Sequence, residues 1–260
     1  MLNNYTPGPR ENRIFDQNLS YEEEFERAKR NGFAKEIKAA MFEIGVPPRT
    51  QKATCESVPK EIANLNCHNN FPATNYGLDG LGGCGKSCSL AYGIKRTLLK
   101  EMFEAGPKVI GEEPSSIPGL SSTPRLVSPH RPTVFKWVGW PAMASRMKGL
   151  AARREWLDPL ATVAALASWA TSNPEHHVLI LDDIGEEGVK AESYVSEQLE
   201  LLIDELYNFE CRMFWTSNHT VEALAESSCY GYRLASRLVG LSPDVHLPEG
   251  MPDLRVVVAK

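Results

Sequence analysis

Gly80-Leu81-Gly82-Gly83-Cys84-Gly85-Lys86-Ser87 spells G-x-x-x-x-G-K-S between an apolar run and a helix-periodic one. Each position has a physical task in cradling phosphate. Glycines let the backbone curl closely enough for successive amides to point inward. A helix opening at the end of the loop adds free N–H groups and the positive end of its dipole. Lys86 brings an ammonium for the outer phosphates, and Ser87 brings a hydroxyl suited to magnesium. A glycine-rich turn could match by accident, so the flanks matter. Ala73–Asp79 reads as a strand entering the loop. Lys86–Phe103 reads as a helix with Leu90, Ile94, Leu98 and Met102 on one face. That strand–loop–helix context favours Mg-ATP as the ligand, with Gly80, Gly82, Gly83, Cys84, Gly85, Lys86, Ser87 and the adjoining Cys88 around the phosphates.

Downstream, Val178-Leu179-Ile180-Leu181 is wholly apolar and ends in Asp182-Asp183, as a parallel strand buried on both faces would. Asp182 is the candidate to hold magnesium with Ser87, and Asp183 to orient or deprotonate an attacking water. Thr133–Val138 and Arg212–Thr216 read as further strands, Val245–Leu247 and Val256–Val258 as late ones, and Pro141–Ala170 as mostly helical. The helix after the acidic strand carries Val195, Leu199, Leu202, Ile203 and Leu206 on one face. Strands alternating with helices predict a three-layer α/β domain around a parallel sheet. Thr216-Ser217-Asn218 closes one strand, where a side-chain amide could reach the γ-phosphate or simply cap a helix. Arg233 and Arg237, four residues apart, share one helical face, either as a solvated ion-paired surface or as an arginine finger.

Upstream, residues 1–18 are polar, and Ser20 with Glu23 reads as a capping box opening a charged helix over Tyr21–Arg30. Phe33, Ile37, Met41 and Phe42 mark a second helix ending at Gly45, and Val46-Pro47-Pro48 stops it. The chain therefore divides into a helical N-terminal segment, 1–45, and a main domain, 46–260. Residues 106–132, rich in Pro, Ser and Gly, read as a long surface insertion.

The whole chain narrows the classes. Its 260 residues are 42% hydrophobic and 23% charged, ordinary for a globular protein. The net charge of −5 argues against a dedicated nucleic-acid binder, so any DNA contact is a local patch or one built by assembly. No run approaches the roughly eighteen apolar residues of a membrane helix, and the N-terminus lacks a signal-peptide pattern. The six scattered cysteines have no CxxC pair, which suggests reduced thiols in the cytoplasm. Cys55, Cys67 and His68 are too widely spaced for a zinc knuckle and lack a fourth ligand. Cys84, beside a lysine at a helix start, is a candidate for alkylation.

Taken in order, GLGGCGKS, LILDDIGEE, FWTSN, YGYRLASRL and PDLR resemble the DnaC-type helicase loaders and the related IstB-type transposition ATPases, both of the AAA+ superfamily. The resemblance runs from about Val46 to Arg255. It implies a five-stranded P-loop NTPase sheet of the AAA+/ASCE type with the acidic strand beside the phosphate-loop strand, and no C-terminal lid. It implies ATP hydrolysis with Mg2+, slow in the isolated subunit, in a bacterial or phage-infected cell. Asn218 would serve as γ-phosphate sensor, and Arg237 as a finger in trans with Arg233 beside it. Val46-Pro47-Pro48-Arg49 would lie against adenine. The role of Arg255 in PDLR is left open. The implied partners are a replicative helicase gripped by the N-terminal segment, single-stranded DNA, and further copies of the chain in a ring or filament. Arg146, Lys148, Arg153 and Arg154 would track the DNA backbone, with Trp137, Trp140 and Trp156 near enough to stack on bases or else buried in the core. The transposition helper would instead bind duplex DNA, and a non-hydrolysing adaptor would use nucleotide only as a gate.

Overall fold

The computed structural model describes residues 21–30, 34–53, 71, 75–105, 133–153, 159–185, 193–227 and 230–247. Five strands form one parallel sheet in the order β2-β3-β4-β1-β5. They are β1 (Tyr76–Asp79), β2 (Val134–Gly139), β3 (His177–Ile184), β4 (Arg212–Ser217) and β5 (Asp244–His246). Eight α-helices are described: α1 (Tyr21–Arg30), α2 (Ala34–Ile44), α3 (Lys86–Ala105), α4 (Trp140–Arg153), α5 (Pro159–Thr171), α6 (Ser193–Asn208), α7 (Val221–Glu226) and α8 (Gly231–Leu241). The α/β three-layer P-loop fold expected from the sequence is the one found.

Alternation along each strand sends side chains into two separate cores. Val178 and Ile180 join Leu78, Phe135, Trp137 and Phe214 beneath α3, with Leu90, Ile94 and Leu99. Leu179 and Leu181 face the other way, toward Trp140 and Met147 of α4 and the Val195, Leu199 and Leu202 face of α6. β3 is therefore apolar throughout because both of its faces are covered.

One arrangement differs from the sequence expectation. The acidic strand β3 is not beside the phosphate-loop strand β1, because β4 lies between them. Phe214 of β4 is in register with Tyr76 on one side and Ile180 on the other. Motif order along a chain does not encode sheet order, and the buried β4 run Met213-Phe214-Trp215 suits a central position.

The N-terminal helices join the α3 core. Ile37 and Met41 of α2 are buried there, whereas Phe42, a further 100° around the helix, is exposed. Gly45 ends α2 at φ +91°, with its N–H bonded to Phe42 O and that of Val46 to Met41 O. This double closure satisfies the last carbonyls and needs a residue at ease in the left-handed region. Arg27 of α1 sits over the Phe103 ring at 4.9 Å, and Lys95 of α3 donates to Ala53 O at 2.8 Å, tying the linker down. Pro141 and Pro159 fall in the first turns of α4 and α5, where a missing N–H costs no helix bond. Ser20, Phe33, the insertion 106–132, Cys55, Cys67, His68, Trp156, Arg255 and the Val256–Val258 segment lie outside the described residues.

Gly77 carries the tightest steric demand in β1. A Cβ there would meet the Trp215 ring of β4 at 1.9 Å. Gly77→Ala is expected to destabilise the protein by roughly 2 kcal/mol or more, because ring and backbone must both shift in a close-packed layer. Urea unfolding measures this, and adding Trp215→Leu should recover part of the loss by opening space.

Candidate functional site

The C-terminal ends of β1, β4 and β3 converge on one point. From β1 the chain enters the glycine loop, where Gly80, Gly83 and Gly85 have φ of +134°, +86° and +93°. Gly80 also packs against Leu247, whose Cβ and carbonyl would lie 3.0 and 3.2 Å from an added Cβ. Positive φ and close approach together make glycine the fitting residue there. Lys86 opens α3, and its buried ammonium donates to Gly80 O at 2.8 Å, Leu81 O at 2.9 Å and Asn218 Oδ1 at 2.8 Å. The Cys84 thiol is also 3.6 Å from it. At 2% exposure Cys84 is buried in the core beneath α3, which opposes the alkylation expected from its position.

Asp182 of β3 receives two hydroxyls on the same oxygen. Ser87 Oγ and Thr216 Oγ1 each donate to Oδ1 at 2.7 Å. Burial first, and the charge of neighbouring Asp183 second, push the Asp182 carboxyl up to about 6. Hydrogen bonds from Ser87 and Thr216, and the nearby Trp137 indole, oppose the rise. The Trp137 N–H is buried and makes no hydrogen bond of ordinary geometry, so its pull on Asp182 is that of a nearby dipole. Asp183 follows with a left-handed backbone, φ +63°, where the β3–β4 ladder shifts register between Leu181 and Ile184.

Sequence reasoning brought Lys86, Ser87, Asp182, Asp183 and Asn218 to this region, and the structure assembles them. It missed Thr216 as a partner of Asp182, Trp137 as a donor near it, and Asp79. Asp79 precedes the loop, is 1% exposed, and has His246 Nδ1 2.9 Å from its Oδ1. Burial raises its carboxyl above the usual range and the His246 contact offsets part of the rise. A lone acid ending an otherwise apolar four-residue strand was the available signal.

The remaining candidates sit elsewhere. Arg233 pairs with Glu200 at 3.0 Å and with Asp204, and Arg237 pairs with Asp204 at 3.4 Å while lying 4.4 Å above the Tyr207 ring. Both arginines thus lie against α6, with no bond to the loop. Arg49 acts electrostatically on Cys88 in the first turn of α3, so the linker passes near the site. Arg146 of α4 is exposed and Lys148 half-buried; the Arg153 side chain and Arg154 are outside the described set. Trp137 and Trp140 are 6% and 0% exposed, so they are core residues and not platforms for bases. Among the described residues, no helix is long and apolar enough to cross a membrane.

The donor set fits magnesium nucleotide. A hydroxyl and a carboxylate are hard oxygen ligands, and Mg2+ takes one or two of these with phosphate oxygens and water. Among the described residues no group of three or more His, Cys, Asp or Glu could hold a metal unaided. The inward-curled loop and the buried lysine suit a polyanion. No protein-family model and no curated protein matches the sequence. Among solved structures, a candidate primosome component from Streptococcus pyogenes serotype M3 is 17% identical, covering 81% of this chain and 96% of that one at a TM-score of 0.49. DnaI is 17% identical over 80% and 94%, with a TM-score of 0.49. The DnaC helicase loader is 15% identical over 78% and 100%, with a TM-score of 0.46. The fold class stands on strand order and loop geometry.

A carboxyl raised by burial keeps its proton in the folded state over a window where the unfolded chain has lost it. Stability therefore falls as pH rises from about 4 to about 6 and then levels. Asp182→Asn preserves an oxygen acceptor for Ser87 and Thr216 and removes that slope. It is expected to be more stable than the parent by roughly 2–3 kcal/mol above pH 6, with no advantage below pH 4. Urea midpoints across that range test the sign.

Proposed function

We propose that the protein is a Mg-ATP-dependent ATPase. The carrying observation is that Lys86, Ser87, Asp182 and Asn218, from three distant sequence segments, meet within hydrogen-bond distance at the ends of three adjacent strands. The amides of Gly80, Gly82, Gly83, Cys84, Gly85 and the first turn through Cys88 cradle the phosphates. Lys86 exchanges the Gly80 and Leu81 carbonyls for β- and γ-phosphate oxygens. Ser87 and Asp182 would hold magnesium, which when bound would supply charge neutralisation at the phosphates. Asp183 orients the attacking water and takes its proton, while Asn218 contacts the γ-phosphate end. Arg237, with Arg233 beside it, acts on the site of a neighbouring subunit, so turnover is slow in a single chain.

The motif order that resembles the helicase loaders supplies the biological half of the proposal. On this reading the chain self-associates into a ring or filament on single-stranded DNA and places or remodels a replicative helicase in the cytoplasm. The 1–45 segment grips the helicase, and the basic run Arg146, Lys148, Arg153 and Arg154 follows the DNA phosphates.

Phosphate release is to be measured without DNA, with single strands and with duplex, at two protein concentrations and fixed salt. The expected result is stimulation by single strands, with activity per subunit rising with concentration. Duplex preference would point instead to an IstB-like transposition helper. ATP binding with no release would point to a nucleotide-gated adaptor.

Substitutions separate the roles. Lys86→Ala is expected to weaken ATP binding strongly. Arg237→Ala should bind ATP normally yet lose DNA-stimulated turnover by about a hundredfold or more, as removal of an arginine finger does. Its contacts to Asp204 and Tyr207 are at the surface, so the fold should survive. Undiminished turnover in that variant would rule out the finger.

A further inference from the structure

Thr216 is fully buried in β4, the strand inserted between the loop strand and the acidic strand. Its hydroxyl is used twice. It donates to Asp182 Oδ1 at 2.7 Å and accepts the Asp183 N–H at 2.8 Å. Ser87 donates to the same Asp182 oxygen, so the two hydroxyls fix that carboxylate from opposite segments of the chain.

The second contact bears on backbone geometry. Asp183 has φ +63°, a region that non-glycine residues enter at a cost unless their surroundings impose it. There the β3–β4 ladder shifts register between Leu181 and Ile184, and the Thr216 hydroxyl meets the Asp183 amide at that irregularity. One hydroxyl thus sets both the direction of the first carboxylate and the turn that carries the second. Isosteric valine would keep the β-branched packing but remove both the contact to the Asp183 amide and the one to Asp182.

We propose that Thr216 is the positioning residue of the ATPase site, holding Asp182 for magnesium and Asp183 for water without itself touching nucleotide. This rests on the Mg-ATPase reading above. Outer-shell donors of this kind typically influence metal affinity or activity by 10–100-fold.

The test compares the full-length parent with Thr216→Val and Thr216→Ser. Binding of a fluorescent ATP analogue is titrated with Mg2+ and repeated in EDTA, and steady-state phosphate release is recorded alongside. In Thr216→Val, the Mg2+ concentration for half-maximal response should rise about tenfold and kcat should fall 10–100-fold. Metal-free nucleotide affinity should stay unchanged, and Thr216→Ser should restore most of both losses. If Thr216→Val does not fold, Thr216→Ala, which leaves room for a water at the Asp183 amide, is compared with Thr216→Ser and the same ordering is expected. A folded hydroxyl-free variant with the parent's Mg2+ dependence and kcat overturns the role of Thr216 while leaving the ATPase reading intact. A parent chain with no Mg2+-dependent nucleotide response overturns that reading, and the inference with it.

Discussion

One oxygen of Asp182 accepts both the Ser87 hydroxyl at the start of α3 and the Thr216 hydroxyl of β4, each at 2.7 Å. Those two bonds join the helix after the glycine loop, the central strand and the acidic strand at a single buried point. Taking a carboxyl to 6% exposure is unfavourable for its charged form, and its upward shift to about 6 records that cost. Two hydroxyl donors offset only part of it, which leaves a group suited to a cation. The buried carboxyl at this point therefore comes at some expense to the stability of the free protein, as a ligand site would.

That organisation depends on the two cores that clamp the sheet. β3 and β4 are apolar on both faces, with Phe214 and Trp215 pointing in opposite directions. Because the strands are held rigidly, the ends that carry Asp182, Thr216 and Asn218 are fixed relative to one another. Gly77 shows how close the layer is: Trp215 occupies the space a side chain would need. Precision at the site thus begins with packing some residues away from it.

Much of this was legible in the sequence because its signals were local. The glycine spacing marked the loop, the apolar run before Asp182-Asp183 marked β3, and the 3.6-residue rhythm of Val195 to Leu206 marked α6. Gly45 and the prolines after it marked the end of α2. What stayed hidden was non-local. The placement of β4 between β1 and β3 is a matter of which strand buries best, and no motif states it. Thr216 read as part of a strand-end turn because its partner lies 34 residues away in sequence. Trp137 and Trp140 read as either base platforms or core, and only the packing of Trp137 of β2 into one core and of Trp140 of α4 into the other decides for core. The positive φ of Asp183 follows from a register shift that composition cannot reveal.

The cations of the proposed reaction are already engaged within the single chain. Lys86 is bonded to two loop carbonyls and to Asn218, and Arg233 and Arg237 are paired with acids of α6. The first set is buried and the second lies at the surface, so they differ in what can release them. Phosphate can compete for Lys86 directly, since a dianionic oxygen is a stronger acceptor than a carbonyl. The arginine pairs are exposed and individually weak, held by partial Coulomb attraction and ring contact. A neighbouring subunit presenting a bound polyanion could draw Arg237 away from Asp204 at small cost. Nucleotide capture on this reading belongs to one chain, whereas neutralising the transferred phosphoryl belongs to two. On the proposed reading, assembly and not the loop alone would control turnover.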